Sequence, residues 1–117
     1  MEKMEYTEMD HFIVKEKNVI TIYKNLIAKI LKFGPLKIEP KKTSIHLGNR
    51  YGFAGVYTRK DYLNLELHLD YKLTKSRVTK VEQASKNRFH HTIKLTDAIE
   101  VDSQLVGWLK ASYTLKK

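Results

Sequence analysis

Residues Tyr62–Asp70 read YLNLELHLD and give the clearest structural signal in the chain. Leucine occupies every second position from Leu63 to Leu69, and a polar residue separates each leucine from the next. A period of two is typical of a β-strand that has one buried face and one face open to solvent. We therefore predict a half-buried strand whose leucines face the core of the protein.

Two further strands are predicted just before it, in residues 42–47 (KTSIHL) and 51–57 (YGFAGVY). They are joined at Gly48–Arg50, and a second connection follows at Arg59–Asp61. Short connections between extended segments favour antiparallel pairing, so the three strands are expected to form a meander. In the middle strand both sides are apolar, which leaves its inward side open, and its glycines indicate a bulge or a close backbone approach.

Helical patterns stand at both ends of the chain. Apolar residues at three- and four-residue steps begin after Asn18, a suitable N-cap, and end at Gly34–Pro35. A second helix is predicted after Asp102, again as N-cap, and the glycine inside it, Gly107, indicates close packing against the sheet or the first helix.

Additional extended segments are predicted at Leu36–Glu39, at Val78–Val81 and at Phe89–Leu95. The predicted fold class is therefore α+β: a two-layer domain whose antiparallel sheet of four or five strands, with the meander at its core, is flanked by an N-terminal and a C-terminal helix. Residues 1–117 are expected to form a single domain, with residues 1–10 as a loose N-terminal segment.

Composition narrows the class of partner. The chain has 22 Lys+Arg against 13 Asp+Glu, and 22 − 13 gives a net charge of +9. Such an excess favours polyanions, nucleic acid first, through counterion release, although a basic surface that keeps a small protein soluble is the simpler alternative. The absence of cysteine, of a signal-peptide pattern and of a long apolar run suits a cytoplasmic protein without membrane attachment.

Basic residues near the predicted strand ends form the candidate anion-binding site. Arginine supplies a planar fork that matches phosphate or carboxylate, so Lys42, Arg77 and Arg88 would make an anion pocket if they converged beside His91. The alternative is scattered solvated charge, or an arginine paired with Glu82 or Asp102 to hold the long loop. The full candidate set is Lys42, Arg59, Lys60, Arg77, Arg88 and His91.

The histidines raise the question of a metal. His46, His68 and His90 can share the open face of the sheet with Glu66, and two imidazoles plus a carboxylate are chemically adequate ligands. None of them has a helical i, i+4 spacing, and the adjacent His90 and His91 point to opposite faces of a strand, so they cannot chelate together without a bulge. We predict no metal site and no cofactor.

The sequence gives little support for catalysis or for base stacking. No cysteine, Gly-x-Ser-x-Gly elbow or glycine-rich phosphate loop is present, so no catalytic residue is predicted and the sequence favours a non-enzymatic protein. Tyrosines near the sheet are either stacking platforms for single-stranded nucleic acid or ordinary strand formers. They are Tyr51, Tyr57, Tyr62 and Tyr71.

The chain resembles a family of small bacterial domains of unknown function, whose members occur alone or at the C-terminal end of longer chains, some of them labelled predicted transport proteins. The resembling segments are His11–Phe12, Phe33–Pro35, Pro40–Ile45, Phe53–Ala54, Arg59–Lys60, Leu63–Leu67, Arg77–Val78, Val81–Glu82, Arg88–Ile93, Glu100–Asp102 and Trp108–Leu109. The resemblance implies the same helix–sheet–helix layout. It carries no assigned activity, catalytic residue or cofactor.

The function predicted from the sequence is thus a non-enzymatic basic binding module for an anionic partner, above all nucleic acid bound with little sequence specificity. One alternative is a protein–protein interaction or assembly domain, including a homodimer, which would use Trp108 on the last helix or an exposed edge at Leu36–Glu39. The other is a small-molecule binder with a pocket near Arg77 and His91.

Overall fold

The computed structural model describes residues 5–115, and in that range six antiparallel strands form one sheet that carries two α-helices. The predicted domain therefore extends beyond the described range at residues 1–4 and 116–117. The helices are α1 (Lys17–Leu31) and α2 (Ser103–Tyr113), and single 3₁₀ turns span Glu8–Phe12 and Ala98–Glu100. The strands are β1 (Lys37–Pro40), β2 (Ile45–Gly48), β3 (Gly52–Thr58), β4 (Leu63–Leu69), β5 (Val78–Ser85) and β6 (Arg88–Leu95), in the spatial order β1-β2-β3-β4-β6-β5.

Strand β4 is buried as its alternating pattern predicts. All four of its leucines have no exposed surface, and the polar residues between them are half-buried on the other face. The register with β3 pairs Ala54 with Leu67 and Val56 with Leu65, so the alanine and the valine face the core. Gly55 pairs with Glu66 and lies on the opposite face, which answers the question that the sequence left open.

Both helices pack on the leucine face. α1 contributes an apolar stripe that includes Ile22, Leu26 and Ile30, and α2 contributes Leu105 and Leu109. These side chains join the inward residues of the sheet in one core, which confirms the flanking N- and C-terminal helices. The opposite face of the sheet stays open, as antiparallel sheets allow.

The prediction of four or five strands was wrong, because all six extended segments belong to the sheet, with β1 and β5 at its two edges. β5 also continues through eight residues where only Val78–Val81 was expected. Its backbone pairs with β6 from Val78 opposite Ile93 to Ser85 opposite Arg88. β5 is the outermost strand, and most of its side chains are exposed. No buried face imposes a period of two on it, so its sequence lacks the signal that identified β4.

The N-cap residue was predicted correctly for α2 and wrongly for α1. Asp102 caps α2 as predicted, since its carboxylate accepts a hydrogen bond from the Leu105 amide at 3.0 Å. α1 begins earlier than expected, with Glu16 at the N-cap position. Asn18 instead donates its side-chain amide to the carbonyls of Asp61 and Thr96, both at 3.0 Å, and so ties α1 to two loops.

The 3₁₀ turn at Glu8–Phe12 departs from the loose segment expected for residues 1–10. Thr7 and Asp10 form a reciprocal capping box at its start. The phenol of Tyr23 in α1 donates a hydrogen bond to Glu8, and Phe12 is buried against the same ring. These contacts hold the second half of the expected loose segment against α1.

Neither α-helix in the described range is long and apolar enough to cross a membrane. The two edges of the sheet are both unsuited to accept another strand. β1 is only four residues long and ends in Pro40, which has no amide proton to donate. β5 presents Lys80 and Glu82, and its register is irregular near both ends.

Candidate functional site

A cavity of about 920 Å³ opens at one end of the sheet. Its walls come from the β2–β3 turn, the end of β4, the β5–β6 turn and the C-terminal end of α2. The basic side chains among its lining residues are Arg50, Arg88, His68 and His90, and the described lining contains no aspartate or glutamate. The cavity is therefore an environment that favours anions.

Ser112 of α2 builds one wall of this cavity from within the core. Its hydroxyl accepts a hydrogen bond from the His68 amide at 3.2 Å and lies 2.7 Å from the carbonyl oxygens of both Phe53 and His68. The pairing of β3 with β4 ends at Ala54 and Leu67, so this side chain replaces the next rung of the ladder. The end of α2 is thereby fixed to the two strands that frame the cavity.

Aromatic contacts hold the same end of α2 from the other side. Tyr113 packs against Phe53 and Phe33, with ring centroids 5.3 and 5.6 Å away, and its hydroxyl donates to the Pro35 carbonyl at 2.6 Å. Gly34 has φ +147°, and a Cβ at this position would lie 2.7 Å from the Tyr113 hydroxyl. Glycine is thus required here by both backbone conformation and space.

Glu66, His68 and His90 meet on the open face, at the margin of the cavity. The Glu66 carboxylate lies 3.2 Å from Nε2 of His68 and 3.5 Å from Nδ1 of His90, and the two imidazoles stack with centroids 3.9 Å apart. The hydrogen bond with His68 is the main cause that lowers the pKa of Glu66. Burial, followed by the charge of His68, lowers the pKa of His90, so this ring is neutral at pH 7.

Three of the predicted anion-binding residues lie at the opposite end of the sheet from the cavity. Lys42 stands in the β1–β2 turn, and Arg59 and Lys60 stand in the β3–β4 turn. All three are exposed. The two turns lie at the same end of the sheet. Because neighbouring strands are about 4.8 Å apart, the turns are separated by roughly 10 Å.

Arg77 is held by the protein itself. Its guanidinium donates to the Asp102 carboxylate at 2.9 and 3.0 Å, to the Gln104 side chain at 3.1 Å and to the Glu100 carbonyl at 2.8 Å. It also lies over Trp108, 5.7 Å from the ring centroid. Pairing with Asp102 to hold the long loop was the alternative that the sequence left open, and the structure shows that pairing.

The convergence of Arg77 and Arg88 beside His91 does not occur. Val78 pairs with Ile93 and Ser85 pairs with Arg88, so the two arginines lie at opposite ends of the β5–β6 hairpin. His91 is buried on the core side of β6, where its Nε2 accepts the Leu73 amide at 2.9 Å. Of the predicted set, Arg88 alone lines the cavity.

Arg50 is the residue that the sequence analysis missed. It stands in the β2–β3 turn, which had been noted as a connection. Successive turns of a meander alternate between the two ends of the sheet, so this turn could have been placed opposite Arg59 and Lys60 from the predicted strands alone. Its grouping with Arg88 required knowledge of where β6 lies.

The four tyrosines are not gathered into one stacking platform. Tyr51 is exposed and lines the cavity beside Arg50. The ring of Tyr62 lies against Lys94, whose Nζ is 4.4 Å from its centroid. Tyr57 is half-buried, and the chief cause that raises its pKa is burial.

A comparison with known protein families gives one match. A family model described as "Domain of unknown function (DUF5655)" matches residues 8–116. No curated protein and no solved structure matches the chain significantly.

Proposed function

Because the chain belongs to the DUF5655 family, whose description assigns no activity, we propose from the geometry of the cavity that the protein is a non-enzymatic module that binds nucleic acid. The observation that carries this proposal is the composition of the cavity wall. Two guanidinium groups and two imidazoles line it, and no carboxylate does so among the described residues. Guanidinium groups bind phosphate through two parallel hydrogen bonds.

The end of α2 opposes this preference only weakly. A helix C-terminus carries about half a unit of negative charge. Arg50 and Arg88 contribute two full positive charges at the same cavity. The Glu66 carboxylate at the margin offsets one of these charges, and the balance among these described groups still favours an anion.

The exposed ring of Tyr51 favours nucleic acid over a small anion. Its side chain lines the cavity and is 46% exposed, so a base can stack on it while the arginines hold the neighbouring phosphates. Stacking of one base on an aromatic side chain contributes about 1–3 kcal/mol. Both kinds of contact accept any base, which supports weak sequence dependence.

The test is a fluorescence-anisotropy titration of labelled single- and double-stranded oligonucleotides at about 50 and about 200 mM salt. We expect single strands to bind more tightly, because stacking on Tyr51 needs unpaired bases. The affinity should fall steeply between the two salt concentrations. A protein of charge +9 that binds neither form at the lower concentration would refute the proposal.

Two double mutants with reversed charges test where on the protein nucleic acid binds. R50E/R88E and K42E/K60E each remove four units of charge, from +9 to +5 since 9 − 4 = 5, but they act at opposite ends of the sheet. We expect R50E/R88E to weaken binding at least tenfold more than K42E/K60E. It should also reduce the salt slope by about 1.4, or 0.7 for each lost phosphate contact on a single strand. Equal losses would show that binding is diffuse and that the cavity is not its site.

Self-association is a second candidate function, favoured by apolar side chains exposed beside α1. An open groove of about 420 Å³ lies between the first 3₁₀ turn and α1, and the exposed Met9 and Leu31 are among its lining residues. A symmetric dimer is the commonest way for one chain to cover such a patch. Light scattering at increasing concentration tests this. A dimer abolished by Leu31→Glu supports it, and a monomer at every concentration contradicts it.

A further inference from the structure

We propose that Glu66, His68 and His90 form a binding site for a divalent metal ion of the zinc class. Each residue offers one ligand atom, and these three atoms all lie within 4.8 Å of one another. The set of two nitrogens and one oxygen is typical of zinc, with a fourth position left for water or another ligand.

Two of the three distances between the ligand atoms match a tetrahedral ion. Metal–ligand bonds of 2.0–2.1 Å imply about 3.3–3.4 Å between the corners of a regular tetrahedron. Glu66 Oε1 lies 3.2 Å from His68 Nε2 and 3.5 Å from His90 Nδ1. The carboxylate is thus spaced from each imidazole as a bound ion requires, and the two ring nitrogens lie within 4.8 Å of each other.

The sheet holds the three residues together whether or not an ion is bound. Glu66 and His68 are two residues apart on β4, so their side chains leave the same face. His90 stands directly opposite His68 on β6, and Glu66 is the diagonal neighbour of His90. Hydrogen-bonded strands thus position the ligands, and the conformational cost of assembling the site is small.

Charge and access also suit a cation. Glu66 supplies a carboxylate oxygen, and each imidazole offers a ring nitrogen on the same open face. The three side chains keep between 24% and 34% of their surface exposed, which leaves a path for the ion and room for a fourth ligand. The nearest row of charges on β5, Lys80 and Glu82, is neutralised in a 2.9 Å ion pair.

Binding requires one local change. The imidazole planes are only 14° from parallel, so the lone pairs of the two rings run side by side instead of meeting at a point. Rotation of His90 about its side-chain bonds, on the open face of the sheet, converts the stack into a chelating pair. We therefore expect metal binding to separate the two rings.

The first test is titration of the full chain, freed of metal by a chelator, with Zn²⁺ in a calorimeter. His46 is exposed on β2 and lies outside the cluster, on the far side of Gly55 from Glu66, with two strand spacings or roughly 10 Å between the backbones. His46→Ala is therefore the control for loss of a nearby imidazole that is not a ligand. We expect one ion per chain, at least tenfold weaker binding for E66Q and no binding for H68A/H90A, whereas H46A should bind far more tightly than E66Q.

A second measurement on the unaltered protein covers the case in which H68A/H90A fails to fold. In NMR spectra of the five histidines, Zn²⁺ should shift the ring signals of His68 and His90 and leave those of the other three in place. Co²⁺ should give the intense visible bands of tetrahedral coordination. Absence of binding, or binding that H46A weakens as much as E66Q does, would overturn the proposal.

Discussion

Replacement of Ser112 by alanine is the sharpest test of how the cavity is built. The hydroxyl is fully buried and contacts three backbone groups at the point where β3 and β4 stop pairing. A hydroxyl has one proton, so it accepts from the His68 amide and donates to one carbonyl at a time. S112A leaves that amide and at least one carbonyl without a partner.

The expected cost follows from these contacts. A buried polar group without a partner costs about 1–3 kcal/mol. Ser112 borders the cavity, so water can reach part of the vacated space and the cost should lie in the lower half of the range for two groups. We expect S112A to lower the free energy of unfolding by about 2–4 kcal/mol, out of a total of roughly 5–15 kcal/mol for a domain.

Urea denaturation monitored by circular dichroism and by the fluorescence of Trp108 measures this cost. The midpoint should fall by about 1 M or more, with an unchanged slope. Ser103→Ala is the control, because Ser103 is exposed at the start of the same helix and its replacement should change stability by less than about 0.5 kcal/mol. If S112A behaves like S103A, the hydroxyl does not join the strands as described.

Three further predictions concern stability, each measured by the same urea titration. Gly107→Ala should stabilise the protein by up to about 1 kcal/mol, because no atom lies within 4 Å of the added methyl group. A loss of stability would instead support the close packing that the sequence predicted at this position. Val14→Gly should stabilise it by about 1 kcal/mol, because Val14 is 90% exposed and has φ +53°, where a β-branched residue is strained; no gain would show that this strain is absent. Acidification should destabilise the protein progressively once the pH falls below about 5. The Leu105 amide lowers the pKa of Asp102, and hydrogen bonds from Thr96 and Asp97 outweigh burial to lower that of Glu100. The unfolded chain therefore takes up protons first, at about pH 4, and the stabilisation is lost as the pH falls through the folded values. D102N/E100Q should make stability less dependent on pH in this range, and an unchanged pH dependence would contradict the role of these two carboxylates.

The elements that the sequence predicted well are those whose burial is one-sided. β4 alternates because one face meets the helices and the other meets solvent, and the apolar stripe of α1 has the same cause. β5 is exposed along most of its length, so only its first half was expected. Gly107 was interpreted as a packing residue, yet it is exposed, which no local pattern reveals.

The candidate sites depend on the order of the strands, which a single sequence does not specify. β6, not β5, pairs with β4, so the chain crosses over before it forms the last hairpin. This crossing brings His90 opposite His68 and places Arg88 at the same end as Arg50. The sequence analysis placed Glu66, His68 and His90 on one open face but predicted no metal site, because the pairing of β4 with β6 that brings the three together is not evident from spacing along the chain. Arg77 was proposed as an anion-binding residue, with pairing to Asp102 as the alternative, and only the position of α2 decides for that pairing.

The two edges of the sheet have a consequence for how the domain behaves among copies of itself. A short strand that ends in Pro40 and an irregular, charged β5 give an approaching backbone no continuous row of amides and carbonyls. Ordered aggregates that grow by edge-to-edge addition therefore find no suitable strand at either described edge of the sheet. We expect the domain to tolerate crowding and tandem fusion without exchanging strands, and to meet its partners through side chains.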